Sequence, residues 1–560
     1  MPGKASYPAE AIGRVGVRQN PFIGDMMAIL LLVSVCLFIG LPRFRSGLDL
    51  GDEGLLAYGA ARVLDGQVPN RDFVSLQPPL SFYTAAITFK VFGTSLCSLR
   101  ILGLSLFILI PLLIYGISRN LCGRALSLAA ALPATILGLP YFGFVPFAPW
   151  QGIAAALASV LFYFRATLGR RRYLAFPAGC LAGCTVLLRQ DEGFYLAVST
   201  LVYSLALNYA RGVPISKPEM KRVVAFWASG LIAVLLPFGI YWTAKGALPD
   251  MFKQLVVFPL TIYAKTSSSP FPSVSSGLTF GPQAYLVLYY LAPLVEILAA
   301  LELARRFARG RFGLQEATLT FLVAWSALFY CQVLARSDLC HLLITLPPFF
   351  ILCALCFKAI QAPFVDIVTQ AYKNHSASVL AKTIICGLAS TAVLCFLWLL
   401  TPALLCPALP AADRVPLERA GVRLPGADNL KALVESLQRL APPGHPILCL
   451  PYQPMFYFLC NRPNPTRWNY LWPGDQTLAE HQALIQQARN NPPTIVLTTA
   501  EADMQSYAPA ILDYVHQEYR LIGDVGGVMR IYVPSGSLIN SRLQTGDSPG
   551  GRALSRFNGF

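Results

Sequence analysis

The chain has 560 residues, 55% of them hydrophobic and only 13% charged, with a mean hydropathy of +0.54. A soluble protein of this size carries about a quarter charged residues, so much of this surface must face lipid. The net charge of +16 does not point to nucleic acid, because the basic residues form short clusters between apolar runs: Arg170, Arg171 and Arg172; Lys217, Lys221 and Arg222; Arg305, Arg306, Arg309 and Arg311. That is the pattern of cytoplasmic loops.

In chain order, residues 1–23 form a basic segment read as cytoplasmic, and no small-residue cleavage site follows the first apolar run. Runs approaching the roughly 20 residues a spanning helix needs lie near 24–43, 99–118, 125–143, 150–167, 173–188, 194–210, 223–243, 284–304, 316–335, 341–359 and 380–403. The pair 173–188 and 194–210, split by "LRQDEG", is also readable as one kinked element. With the N-terminus in the cytoplasm, the Lys- and Arg-rich loops at 119–124, 165–172, 211–222, 305–314 and 358–379 all face inward. The long loops 44–98 and 244–283 then face outward, and an odd number of spans puts the C-terminus outside as well.

After Pro407 the composition changes, and 406–535 reads as a small α/β domain. "NLKALVESLQRLA" and "EHQALIQQARNN" are helices, "PILCLP" and "TIVLTTA" strands, and the end a hairpin turning at Gly526-Gly527. The tail 536–560, rich in Ser, Gly and Arg, reads as disordered. Cys353 and Cys356 form a CxxC inside an apolar run, a poor setting for metal. Cys449 and Cys460 are candidates to pair if their domain is extracytoplasmic.

The first outer loop carries the chemistry. "DEGLLAYGAARVLDG" starts with Asp52 and Glu53 at a helix N-terminus and stops at Gly66; "PPLSFYTAAITFKVFG" starts a second helix and stops at Gly93. Neither is long or apolar enough to span, and both suit the membrane surface. Acidic residues at a helix start stabilise it, so capping and catalysis are compatible readings of Asp52 and Glu53. A first span followed by "DEG…Y…AR…DGQVPNRDF…QPPLSFY…VFG…LR" and a second span resembles the first-loop signature of the GT-C membrane glycosyltransferases. Within them it is most similar to the bacterial relatives of the protein O-mannosyltransferases and aminoarabinose transferases.

The resemblance covers roughly 20–360 and implies a polytopic α-helical membrane domain (24–405, about 11 spans) of GT-C type, beside the C-terminal α/β domain. It implies an inner-membrane enzyme moving a sugar, with inversion, from a polyprenyl-phosphate-linked donor to an extracytoplasmic acceptor. Asp52 matches the family's loop carboxylate. The chemistry agrees. An acceptor hydroxyl must give its proton to a positioned base as it attacks the anomeric carbon, whereas the phosphate leaving group needs charge stabilisation more than a proton. Glu53 is the second candidate, assisting Asp52 or binding the acceptor.

Cations at the outer ends of spans are the candidates for the donor phosphate: Arg336 and His341 in "VLARSDLCHLL", beside Asp338, and Arg189 in "LLRQDEGFY". Tyr58, Arg62 and Gln77 in the first loop, and Lys265 in the second, are substrate-binding candidates, whereas Arg71 and Asp72 lie in a turn and shape the loop. Gln77 stands where some relatives carry His or an acid. The loop "YFGFVPFAPWQ" has no carboxylate, and the five His show no metal spacing, so transfer is expected without metal or other cofactor. Lys253, Tyr263 and Lys265 lie on a loop suited to be a lid. The aromatic run around Arg462 and Arg467 suits sugar binding or packing against the membrane domain, with packing favoured. The alternatives are a lipid-linked glycan transporter or flippase, for which no inverted repeat is found, and an O-antigen polymerase or ligase.

Overall fold

The computed structural model describes residues 21–169, 171–266, 268–273, 286–372, 413–525 and 527–537. Helices α1 (Pro21–Gly40), α4 (Leu96–Leu121), α6 (Ala148–Leu168), α7 (Ala175–Leu188), α8 (Gln190–Tyr209), α9 (Lys217–Ala244), α12 (Leu286–Ala308), α13 (Leu314–Ala335) and α14 (Leu339–Tyr372) form a bundle. Among the described residues, 7 helices are long and apolar enough to cross a membrane: α1, α4, α6, α9, α12, α13 and α14. The expected span at 380–403 lies outside the described residues.

The expected span at 125–143 is not one helix. α5 (Arg124–Ala131) gives way to a 3-10 turn at Leu132–Thr135 and then to turns. Pro133 and Pro140 each lack a backbone donor, and Gly138, Gly143 and Phe144 have φ of 145°, 61° and 63°, which an α-helix excludes. The 173–210 region is two helices, α7 and α8, that meet at Arg189, whose backbone is extended. α7 crosses α9 closely because Gly179 and Gly230 let the backbones touch: a Cβ on Gly179 would strike the Trp227 carbonyl, and one on Gly230 the Phe176 carbonyl.

The loops fall at two opposite ends. At the basic end, Asp25 pairs with Arg119 (2.9 Å) and Arg124 (3.3 Å), Lys358 Nζ donates to the Leu121 carbonyl, Arg172 pairs with Glu219, and Arg211 N donates to the Phe312 carbonyl. At the other end lie α2 (Asp52–Leu64), α3 (Leu80–Phe92), and the segment with α10 (Leu248–Phe252), two π-helical turns and α11 (Ala264–Thr266). Helix α2 is not laid on a membrane surface, the placement its short length and modest apolarity suggested. Leu55–Ala60 are all buried, between Phe82 of α3 and the C-terminal part of the chain, while α3 leaves Ile87, Val91 and Phe92 exposed.

That C-terminal part begins with a two-residue ladder, β1 (Asp413–Arg414) on β2 (Arg423–Leu424). It continues as α15 (Ala427–Leu440), β3 (Ile447–Leu450), α16 (Met455–Cys460), α17 (Leu478–Asn490), β4 (Ile495–Thr499), α18 (Glu501–Tyr507), α19 (Pro509–Glu518), β5 (Tyr519–Val525) and β6 (Met529–Pro534). The sheet order is β3-β4-β6-β5; β3 runs parallel to β4, and β6 is antiparallel to both its neighbours. α2 and α3 share one hydrophobic core with this unit: Leu56, Tyr58, Phe82 and Phe89 pack with Val434, Met455, Phe458 and Leu497. Gly54 is needed for this contact, since a Cβ there would collide with the Met455 backbone. Cys449 and Cys460 are buried free thiols.

Candidate active site

Helix α2 starts under an unusual density of negative charge. Asp49, three residues ahead, turns its Oδ1 back onto the N–H groups of Gly51 (2.9 Å) and Asp52 (3.2 Å), so it supplies the cap that Gly51 cannot. Burial first, then the nearby Asp52 and Glu53 charges, push the Asp49 carboxyl up to about 7. A carboxyl raised on folding is bound to a proton in the folded chain while the unfolded chain has lost it. Stability therefore falls as pH rises from the ordinary 3.8 towards 7, and the loss is complete above. Asp49→Asn keeps an acceptor for both amides and removes the titration. Thermal unfolding in detergent is expected to show the variant more stable than wild type above pH 7, by at most about 4 kcal/mol, with a flatter profile from pH 4 to 7. Parallel profiles would show that Asp49 is not buried as described.

Adjacent Asp52 and Glu53 have separate fates. Glu53 is fully buried and accepts from Arg100 Nε (2.5 Å) and Nη2 (2.7 Å), while Arg100 is itself only 1% exposed. Arg100 also reaches the carbonyls of Ser46, Gly47 and Gly143, joining three loop segments at one guanidinium. Glu53 Oε2 further accepts from Asp49 N (3.3 Å). Glu53 is thus the fastening of α2 and is closed to an acceptor. Asp52 remains exposed, and its Oδ1 accepts from the Tyr452 hydroxyl of the C-terminal unit.

Tyr58 and Arg62 are used in docking rather than left for substrate. Tyr58, 7% exposed, stacks on Tyr457 at 4.8 Å, and its hydroxyl accepts from Asn464 N (2.7 Å). Arg62 donates to Gln67 (2.5 Å), Asn469 (2.8 Å) and the Asp72 carbonyl (2.9 Å), over the Phe73 ring. Gln77 has a buried side-chain oxygen with no partner among the described residues, an acceptor still available. Arg71 pairs with Asp72 at 2.8 Å, and Asp72 accepts from Val68 N at 2.7 Å; together they shape the turn.

The phosphate candidates come together at the same end. Arg336, in the turn between α13 and α14, donates to Tyr263 Oη (2.7 Å) and pairs with Asp338 (2.6 Å). His341 lies with Nδ1 2.7 Å from Asp338 Oδ1. Burial opposes ionisation of Asp338, but His341 and Arg336 outweigh it and hold the carboxyl below its ordinary value. Arg189 pairs with Asp191 (2.8 Å) and lies near Tyr263, the residue that Arg336 contacts. Gln190 Nε2 ties α8 to the same outer segment through the Leu255 carbonyl (3.0 Å). Lys265 is exposed beside it, and Lys253 is taken up by Glu480 (2.9 Å). Cys340, at the start of α14, has Asp338, Arg336, Asp52 and Asp49 among the charged groups near it, so the start of α2 and the Arg336 turn lie in one neighbourhood.

Arg462 and Arg467 hold the fold. Arg462 is buried against the carbonyls of Ala441 and Cys460, and Arg467 bridges Asp250 (3.0 Å) and the Asn70 carbonyl. Among the described residues, no group of three or more His, Cys, Asp or Glu is placed to hold a metal ion. Sequence reasoning missed Asp49, Arg100 and Tyr452, and took Tyr263 only as part of a lid loop. Of these, Arg100 was present as the last letter of the first-loop signature, and Asp49 as an acid just ahead of a Gly-Asp helix start.

Residues 76–242 match the family model described as dolichyl-phosphate-mannose-protein mannosyltransferase. That segment includes Gln77, Arg100 and Arg189 and starts after Asp52. No curated protein sequence matches the chain. The fold is similar to that of the oligosaccharyltransferase of Archaeoglobus fulgidus, solved with an inhibitory peptide and a dolichol-phosphate: TM-score 0.52 at 13% identity, over 93% of this chain and 75% of that one. A second structure of that protein, tethered to an acceptor peptide, gives 0.52, 13%, 92% and 74%. An arabinofuranosyltransferase from Mycobacteria aligns at 0.47 and 14%, over 91% and 40%. The family match shows similarity over that segment, less than a third of the chain, and the structural likeness shows the fold.

Proposed function

We propose that the chain moves a sugar from a polyprenyl-phosphate-linked donor to an extracytoplasmic acceptor in one displacement, with inversion at the anomeric carbon. The basic end of the bundle and the N-terminus face the cytoplasm of an inner membrane, and α2 and the C-terminal unit face away from it. Asp52 takes the acceptor proton, while Arg336, His341 and Arg189 stabilise the departing phosphate. Gln77 contributes its free oxygen and Lys265 its charge at the edge of the donor path. The observation that carries this reading is one exposed carboxylate, Asp52, at the same end of the bundle as the Arg336–Asp338–His341 cluster, with Asp52 and Arg336 both near Cys340. A base and a cationic phosphate site are the two parts that such a displacement requires.

The test is to supply membranes containing the protein with a radiolabelled polyprenyl-phosphate sugar and follow the label. Transfer leaves the lipid carrier unlabelled and names the acceptor; label that crosses the bilayer still on its carrier would mean transport and end the reading. Arg336→Gln is expected to raise the donor KM roughly tenfold or more, since a hydrogen bond to a charged group contributes about 1.5–3 kcal/mol.

A further inference from the structure

The C-terminal unit does more than cover α2. Tyr452 follows β3 and lies 400 positions from Asp52, to which its hydroxyl donates. Three features hold the ring in place. Gly51 makes room, because a Cβ there would come within 2.6 Å of the Tyr452 ring. Tyr470 and Trp472 meet the ring edge-on, with centroids at 6.0 and 6.2 Å. Leu471 N donates to the Pro451 carbonyl (2.7 Å), so the strand of chain bearing those two rings is fastened to the turn bearing Tyr452.

Resting on Asp52 as the base, we propose that Tyr452 is a positioning residue for transfer: its hydroxyl holds one oxygen of Asp52 so that the other faces the acceptor. The reaction centre is then built by two parts of the chain, and the C-terminal unit is half of it. In the step itself the acceptor oxygen forms a bond to the anomeric carbon as the carbon–oxygen bond to phosphate breaks, its electron pair leaving with the phosphate. The acceptor proton goes to the free oxygen of Asp52. Tyr452 keeps its own proton throughout, because burial and the charges of Asp52 and Asp49 raise its phenol well above the ordinary value.

The groups facing Asp52 are Asp49 and Glu53 of its own segment, Tyr452 with Tyr470 behind it, and Cys340 of α14 with Arg336 and Asp338 beyond; Arg100 of α4 neutralises Glu53. The Tyr452 hydroxyl donates to one oxygen of Asp52 and so fixes how the carboxylate is turned; removing it leaves the carboxylate free to rotate.

Tyr452→Phe in proteoliposomes with labelled donor is expected to lower kcat roughly tenfold and leave the donor KM in place. Gly51→Ala, which pushes the ring off Asp52 without touching its chemistry, is expected to lower kcat in the same way with the donor KM again in place. Unchanged kcat in both variants, with Asp52→Asn inactive, would overturn the role of Tyr452 and leave the base in place. Full activity of Asp52→Asn would instead remove the base, and this inference with it. If Tyr452→Phe does not fold, kcat and donor KM of Gly51→Ala decide alone.

Discussion

Asp52→Asn is expected to slow sugar transfer by roughly 10²- to 10⁴-fold, the usual contribution of a positioned general base, while the donor KM stays near that of the wild type. The substitution is nearly isosteric, and the amide oxygen still accepts from Tyr452, so α2 and its cap by Asp49 remain in place. What is lost is the capacity to take a proton. A structural residue at a helix start contributes only about 0.3–1 kcal/mol, and at an exposed position its loss would hardly register in turnover. The two roles thus differ by orders of magnitude in one assay. Single-turnover transfer with the variant at wild-type rate would sink the assignment and redirect attention to Asp191, beside Arg189 at the start of α8. Glu53 would not inherit the role, since both its oxygens are engaged by Arg100 in a buried pair.

The fate of the two neighbouring acids shows what the sequence carried and what it did not. Composition and the apolar runs led to a helical membrane protein, and loops grouped together by their charge do touch: Lys358 reaches Leu121, and Arg211 reaches Phe312. The stops at Gly66 and Gly93 were legible because both have positive φ, which a glycine accommodates. The run 125–143 was misread because apolar content outweighed two prolines and several turn glycines. Helix α2 was misread for a deeper reason. Its amphipathic face signals that something covers it, but periodicity cannot say whether the cover is lipid or another part of the chain, and the cover lies near Met455. The same holds for Tyr58 and Arg62, whose partners Asn464 and Asn469 are over 400 positions on. Arg336, His341 and Arg189 were found by a local rule, that ionisable groups at the ends of spans are costly enough to need a reason. Tyr263 was noted only as part of a lid loop; its bond from Arg336 joins residues 73 positions apart, which no local rule reveals.

Arg100→Met is expected to be the most destabilising substitution at this end of the molecule, by about 3–5 kcal/mol. Glu53 is fully buried, so losing Arg100 leaves it with no compensating charge, and the carbonyls of Ser46 and Gly143 lose a donor as well. The unfavourable element is the orphaned carboxylate rather than the missing attraction, and this separates the variants. Arg100→Lys retains charge but not the two-pronged contact, and is expected to fall between wild type and Arg100→Met. Glu53→Gln combined with Arg100→Met removes the orphaned charge and is expected to recover part of the loss, a non-additivity of the size seen for directly bonded groups. Thermal unfolding of the purified protein in detergent, read at constant pH, orders the four. If Arg100→Met unfolds at the wild-type temperature, the pair is not buried, and the separation of Asp52 from Glu53 falls with it. If the order holds, the arginine that closes the first-loop signature is explained: it neutralises the second acid, and so leaves the first one free to act.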